Sequence, residues 1–149
     1  MSAKKRPQEA VSGSYTPIPH AVLDSVAFVG ASIRAKAMLF ELLRQHSGRN
    51  NGRLQLSERW LKARGWNSSD QVQKAKAELT ERGLALKTRQ GGRSIGPDWF
   101  ALTWVPISNY ADLDIKPGSF YPGHWRMMDT APIVKDARFG VAQQSGGET

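Results

Sequence analysis

The chain has 149 residues, with 21 Lys and Arg against 13 Asp and Glu, a formal net charge of +8 and no cysteine. That length suits one domain of about 100 residues with tails, and the missing thiols exclude disulfides, cysteine-based zinc sites and a thiol nucleophile. No apolar run approaches the ~18 residues of a membrane span, and Lys4-Lys5-Arg6 has no apolar stretch behind it, so a cytoplasmic protein with no membrane partner is expected.

Residues 1–14 are polar and charged, which predicts a disordered basic tail. Pro17-Ile18-Pro19 forces an extended entry, because each proline fixes its own φ and restrains the residue before it. Residues 21–28 read as one short apolar helix, broken at Gly30-Ala31, with Ser32 placed to cap the next. Residues 33–46 carry Met38, Leu39, Phe40, Leu42 and Leu43, apolar on more than one face, and predict a central buried helix. The stretch from Ser47 to Arg53 contains two glycines and two asparagines and reads as a loop.

Residues 54–104 carry the most information. Leu54-Gln55-Leu56 is a short strand signal; Ser57 caps a brief helix through Arg64, and Gly65 breaks it. Ser68, with Gln71 three residues on, has capping-box spacing for a second helix that Gly83 stops. Val72, Ala75 and Leu79 make its narrow apolar stripe, while Asp70, Lys74, Ala77 and Glu81 fall on the opposite side with Gln73 beside them. Two apolar runs follow, residues 84–88 and 99–104, joined by the glycine-rich basic tip from Gln90 to Pro97. Alternation puts Leu84 and Leu86 on one strand face and Phe100, Leu102 and Trp104 on one face of the return strand, all five closing over the helices. Helix, tight turn, helix and β-hairpin in that order is a winged helix-turn-helix: mainly α with a β-hairpin, an α+β fold spanning residues 15–107 between extended tails.

Beyond Pro106 the pattern decays. Residues 116–125 mix prolines and glycines with Phe120, Tyr121 and Trp125, too irregular for a regular helix and too aromatic for a plain linker. The tail, 108–149, is therefore expected to strap across the body, to join a second subunit as a homodimer, or to meet a protein partner through residues 108–139. Residues 143–149 read as disordered.

The charge is uneven: residues 1–105 sum to +9 and the rest to −1. A basic body attracts polyanions and predicts salt-sensitive binding. The candidate DNA-binding residues follow from the motif. Ser68, Ser69, Asp70, Gln73, Lys74 and Ala77 lie where a recognition helix meets base edges: Gln73 suits adenine, Lys74 guanine or phosphate, and Asp70 the cytosine amino group. Lys87, Arg89 and Arg93 sit on the wing, where basic hairpin tips reach phosphates or the minor groove. Arg49, Arg53, Arg59, Lys62 and Arg64 are placed to meet the backbone that the first motif helix crosses. Each has a plainer reading as a solvated surface residue. Trp60, Trp66, Trp99 and Trp104 read as packing residues, with Trp66 kept as a backbone contact. His20, His46 and His124 are too scattered for a metal site, no Ser–His–acid set can be assembled, and Gly91-Gly92-Arg93-Ser94 lacks the ending of a phosphate loop. Neither enzyme activity nor a cofactor is expected.

Two stretches resemble a bacterial winged-helix group found in plasmids, phages and integrative elements, which includes N-terminal domains of replication initiators. One is Tyr15-Thr16-Pro17-Ile18-Pro19 with Val22-Leu23-Asp24-Ser25. The other is Leu79-Thr80-Glu81-Arg82-Gly83-Leu84 running into Lys87-Thr88-Arg89-Gln90-Gly91-Gly92-Arg93. The resemblance covers residues 15–107 and implies double-stranded DNA binding, in a transcriptional regulator or accessory factor of a mobile element. A plasmid or phage replication-initiation factor is the alternative within that class. A winged-helix protein–protein adaptor without DNA binding is the alternative outside it, and RNA binding through the basic face is a third.

Overall fold

The computed structural model describes residues 13–130. Among them lie α1 (His20–Leu23), α2 (Val26–Val29), α3 (Ile33–Gln45), β1 (Leu54–Gln55), α4 (Glu58–Ala63), α5 (Ser69–Glu81), β2 (Ala85–Arg89) and β3 (Trp99–Leu102). A short 3-10 turn, Pro117–Ser119, and a 3-10 helix, His124–Thr130, follow. The expectations for residues 1–12 and 131–149 fall outside the described residues.

Serine hydroxyls begin α2 to α5. Ser25, Ser32, Ser57 and Ser68 each stand extended before a helix and accept a backbone N–H three residues on, filling donors that the first turn leaves unpaired. The cap at Ser25 corrects the reading of residues 21–28 as one helix. Its φ of −69° and ψ of 155° take the chain out of α1, and its hydroxyl accepts the Phe28 N–H at 3.2 Å to start α2 afresh.

The strands form an antiparallel sheet in the order β1-β3-β2, with Leu54 opposite Phe100 and Ala85 opposite Leu102. The helices cover one sheet face, and the result is an α+β body with a winged-helix-like layout. Its core gathers Met38, Leu39 and Leu42 from α3, Leu61 from α4, Val72, Ala75 and Leu79 from α5, and Leu54, Phe100 and Leu102 from the sheet. α3 buries one side only: Ile33 and Phe40 remain 79% and 55% exposed, so its second apolar face is a surface.

The expected strand faces need a correction too. Leu84, Phe100 and Leu102 are buried in the core and Trp104 packs against it, but Leu86 is only half-buried and Ala85 takes the inward place. Leu84 precedes β2 and leaves the helix through Gly83 at φ +74°, so strand alternation does not begin with it. The register then slips between Lys87 and Arg89, and Thr88 lies fully buried with its hydroxyl on the Gly52 carbonyl.

Asn51 ties the loop before β1 to the far end of β3. Buried at 3% exposure, it accepts the Leu102 N–H at 2.7 Å and donates to the carbonyls of Leu102 and Val105 at 3.0 and 2.7 Å. All of this amide's bonds stay inside the protein, as burial demands.

The segment after the sheet lies across the body. Asp114 N–H bonds the Thr88 carbonyl at 2.7 Å. Trp125 enters the core cluster at 6% exposure, and Asp129 accepts the Val26 N–H at 3.0 Å. The passage is close at Gly83, where a Cβ would stand 2.8 Å from the His124 carbonyl oxygen. Phe120 is half-buried and Tyr121 exposed.

Candidate nucleic-acid interface

α4 and α5 are joined by the turn at Gly65, whose φ of +101° favours glycine. Trp66 N–H closes the turn on the Leu61 carbonyl at 3.0 Å. Ser68 then caps α5, and Val72, Ala75 and Leu79 sink to 2% exposure or less. Because the stripe is narrow, the opposite side is free: Ser69, Asp70, Gln73, Lys74, Ala77 and Glu81 are all exposed. Four side chains on that face, those of Ser69, Asp70, Gln73 and Lys74, are engaged within the protein. Lys74 pairs with Asp70 at 3.0 Å. Glu58, at the start of α4, accepts from Ser69 Oγ at 2.9 Å and from Gln73 Nε2 at 3.1 Å through one oxygen, Oε2. Nothing in the sequence marks Glu58 for this role; only folding places it against α5.

Glu78 braces α5 from behind. Its carboxylate accepts both the N–H and the hydroxyl of Ser32 at 2.6 Å and lies 3.6 Å from Arg82 Nε. Burial pushes its pKa up, but the Ser32 bonds and the charges of Arg82 and Arg34 outweigh that and hold it below the usual carboxylate value. Arg82 extends the brace to the Ala27 carbonyl at 3.0 Å.

The hairpin separates the candidate wing cations. Arg93 stands exposed at the tip, whereas Lys87 pairs with Asp98 at 3.1 Å. Burial raises the Asp98 pKa, while the Gly91 N–H, Lys87 and the Lys76 charge more than compensate and leave it lowered. Arg89 and Arg53 turn inward instead of outward. Both guanidiniums stack on the Trp99 ring, at 3.4 and 5.1 Å from its centroid. Arg89 also donates to the Ile95 and Pro97 carbonyls, and Arg53 to that of Ala111. These two cations therefore brace the wing. Trp99 is the residue that recruits them, and a lone tryptophan in a strand gives no warning of such a pair.

The first motif helix shows the same division. Arg64 bonds Glu41 at 2.8 Å, and Trp66 gives its indole N–H to the same carboxylate at 3.0 Å, so both face the protein. Arg49, Arg59, Lys62 and Arg93 are exposed and make no ion pair among the described residues. Lys76 is a further residue that the sequence does not single out: at the edge of the α5 stripe, it donates to the Leu56 carbonyl at 3.3 Å. With Ser57, Gln90, Gly92 and Asp98 it lines a cleft of about 310 Å³ that joins α5 to the wing tip.

No protein-family model, curated protein or solved structure matches the chain. No helix of the described residues is long and apolar enough to cross a membrane.

Proposed function

We propose that the chain is a winged helix-turn-helix protein that binds double-stranded DNA sequence-specifically, as a transcriptional regulator or accessory factor of a mobile element. One observation carries the reading. α5 keeps the side bearing Ser69, Asp70, Gln73, Lys74 and Glu81 in solvent, while Glu78 and the buried stripe lock its other side and a cleft links it to the basic hairpin tip. A rigid helix with an uncovered polar face beside a projecting hairpin matches the major-groove geometry of such proteins. Gln73 and Lys74 take the base edges in this reading. Arg49, Arg59, Lys62 and Arg93 take phosphates, and no residue has a catalytic role.

Fluorescence anisotropy with labelled duplex DNA of random sequence, and with duplex RNA, at a series of salt concentrations tests the proposal. About four phosphate contacts predict a log–log slope against salt near −3 to −4 on DNA. Absence of DNA binding at low salt, or equal binding of RNA, would overturn it.

A further inference from the structure

The hairpin tip ends in an apolar side chain that the fold does not use. Ile95 is 57% exposed, and it lies beside the exposed cation Arg93. Exposed isoleucines are ordinary when scattered. This one is held out by a tip built for rigidity.

Gly92 and Gly96 exchange both backbone hydrogen bonds, at 2.9 and 3.0 Å, and the Ile95 N–H also reaches the Gly92 carbonyl at 3.1 Å. The apex is thus a three-residue turn, Arg93-Ser94-Ile95, with Ser94 in the left-handed region at φ +69°. Below the apex, Asp98 takes the Gly91 N–H at 2.7 Å, and Arg89 holds the Ile95 carbonyl at 3.2 Å while stacked on Trp99.

The tip is also slim. Gly91, Gly92 and Gly96 flank the apex without side chains, and a Cβ at Gly91 would collide with the Gly96 carbonyl. With glycines on both sides of it, the apex presents only the side chains of Arg93, Ser94 and Ile95 to anything the tip enters.

We infer that the wing tip is a minor-groove wedge: Arg93 enters the groove and Ile95 inserts between base pairs, bending the duplex at a flexible pyrimidine–purine step. The inference rests on the DNA-binding reading above and adds how the wing acts. Apolar wedges flanked by cations part base steps in this way, and TA or CA/TG steps yield most easily. A pre-formed tip suits the task, since its ordering cost is met in folding and not on binding.

The test uses the full chain and a 30-base-pair duplex, selected by the wild-type protein from a random library and labelled at both ends for energy transfer. The wild type should bend this duplex by tens of degrees. Ile95→Ala should leave it nearly straight and bind about tenfold more weakly, while Ile95→Met, still a wedge, should retain the bend. The apolar side chain makes no core contact, so the circular dichroism melt of both variants should match the wild type. Tight binding to a straight duplex by the wild type overturns the wedge and leaves the DNA reading standing, as does an unchanged bend with Ile95→Ala. Selection that recovers no bound duplex overturns both.

Discussion

Replacing Trp125 with alanine tests whether the segment after the sheet belongs to the fold. The indole is 6% exposed, sits in the same cluster as Leu79 and Leu84, and gives its N–H to the Pro122 carbonyl at 3.2 Å. A tryptophan buries about 150–250 Å², which at ~25 cal/mol per Å² is about 4–6 kcal/mol of transfer free energy. Measured Trp→Ala losses in cores run about 3–5 kcal/mol, and the lower end fits a site covered by one 3-10 helix that can partly settle. For a domain of this size each kcal/mol moves the melting temperature by about 3–6 °C. Trp125→Ala should therefore melt at least ~10 °C below the wild type, at unchanged mass by light scattering. Tyr121→Ala is the control: at 58% exposure it should change stability by no more than ~0.5 kcal/mol. If Trp125→Ala melted with the wild type, the segment would not be part of the core and the packing described at Gly83 would be refuted.

Leu79→Ala, in the middle of the core, should cost about 2–5 kcal/mol, whereas Phe40→Ala on the exposed side of α3 should cost far less; equal losses would mean that the α3 faces are wrongly assigned. Glu78→Gln should lower stability at neutral pH and flatten its acid limb. The folded carboxyl lies below its ordinary 4.5, so its contribution is complete above that pH and is lost as pH falls through the lower folded value; an acid limb identical to that of the wild type would count against the Ser32 bonds. Lys74→Ala and Gln73→Ala should reduce discrimination between selected and random DNA by about 1–3 kcal/mol for a good base contact. Arg93→Ala should weaken both kinds of binding more evenly, and loss of specificity from Arg93→Ala alone would make the wing the reader.

What was legible in the sequence is what depends on neighbours a few residues away. Ser32, Ser57 and Ser68 announce their helices because a cap needs only its own hydroxyl and an N–H three residues on. The α5 stripe and the hairpin order are likewise local patterns. Ser25 escaped because the apolar residues 21–23 and 26–28 on either side of Asp24-Ser25 read as one stretch, so the pattern ran through a cap that splits the helix. Leu86 was misplaced because the count began at Leu84, a residue before the strand. The division of the basic candidates was not legible at all: Arg53 and Arg89 meet on Trp99 from positions 36 residues apart in the chain, and Arg64 finds Glu41 on another helix. Charge counts treat all arginines alike. Folding decides which are braces.

Glu58 has a consequence for any ligand that approaches α5. Its oxygen already accepts from both Ser69 and Gln73, so a partner that takes these donors exchanges one acceptor for another. Such an exchange sets a threshold: an edge offering acceptors no better than a carboxylate gains little, and the donors stay at home. The same carboxylate repels a bare phosphate brought to that point. The start of α5 is thereby guarded against contacts that supply charge without the right pattern, and Glu58→Gln would lower that guard, favouring indiscriminate association over selective association.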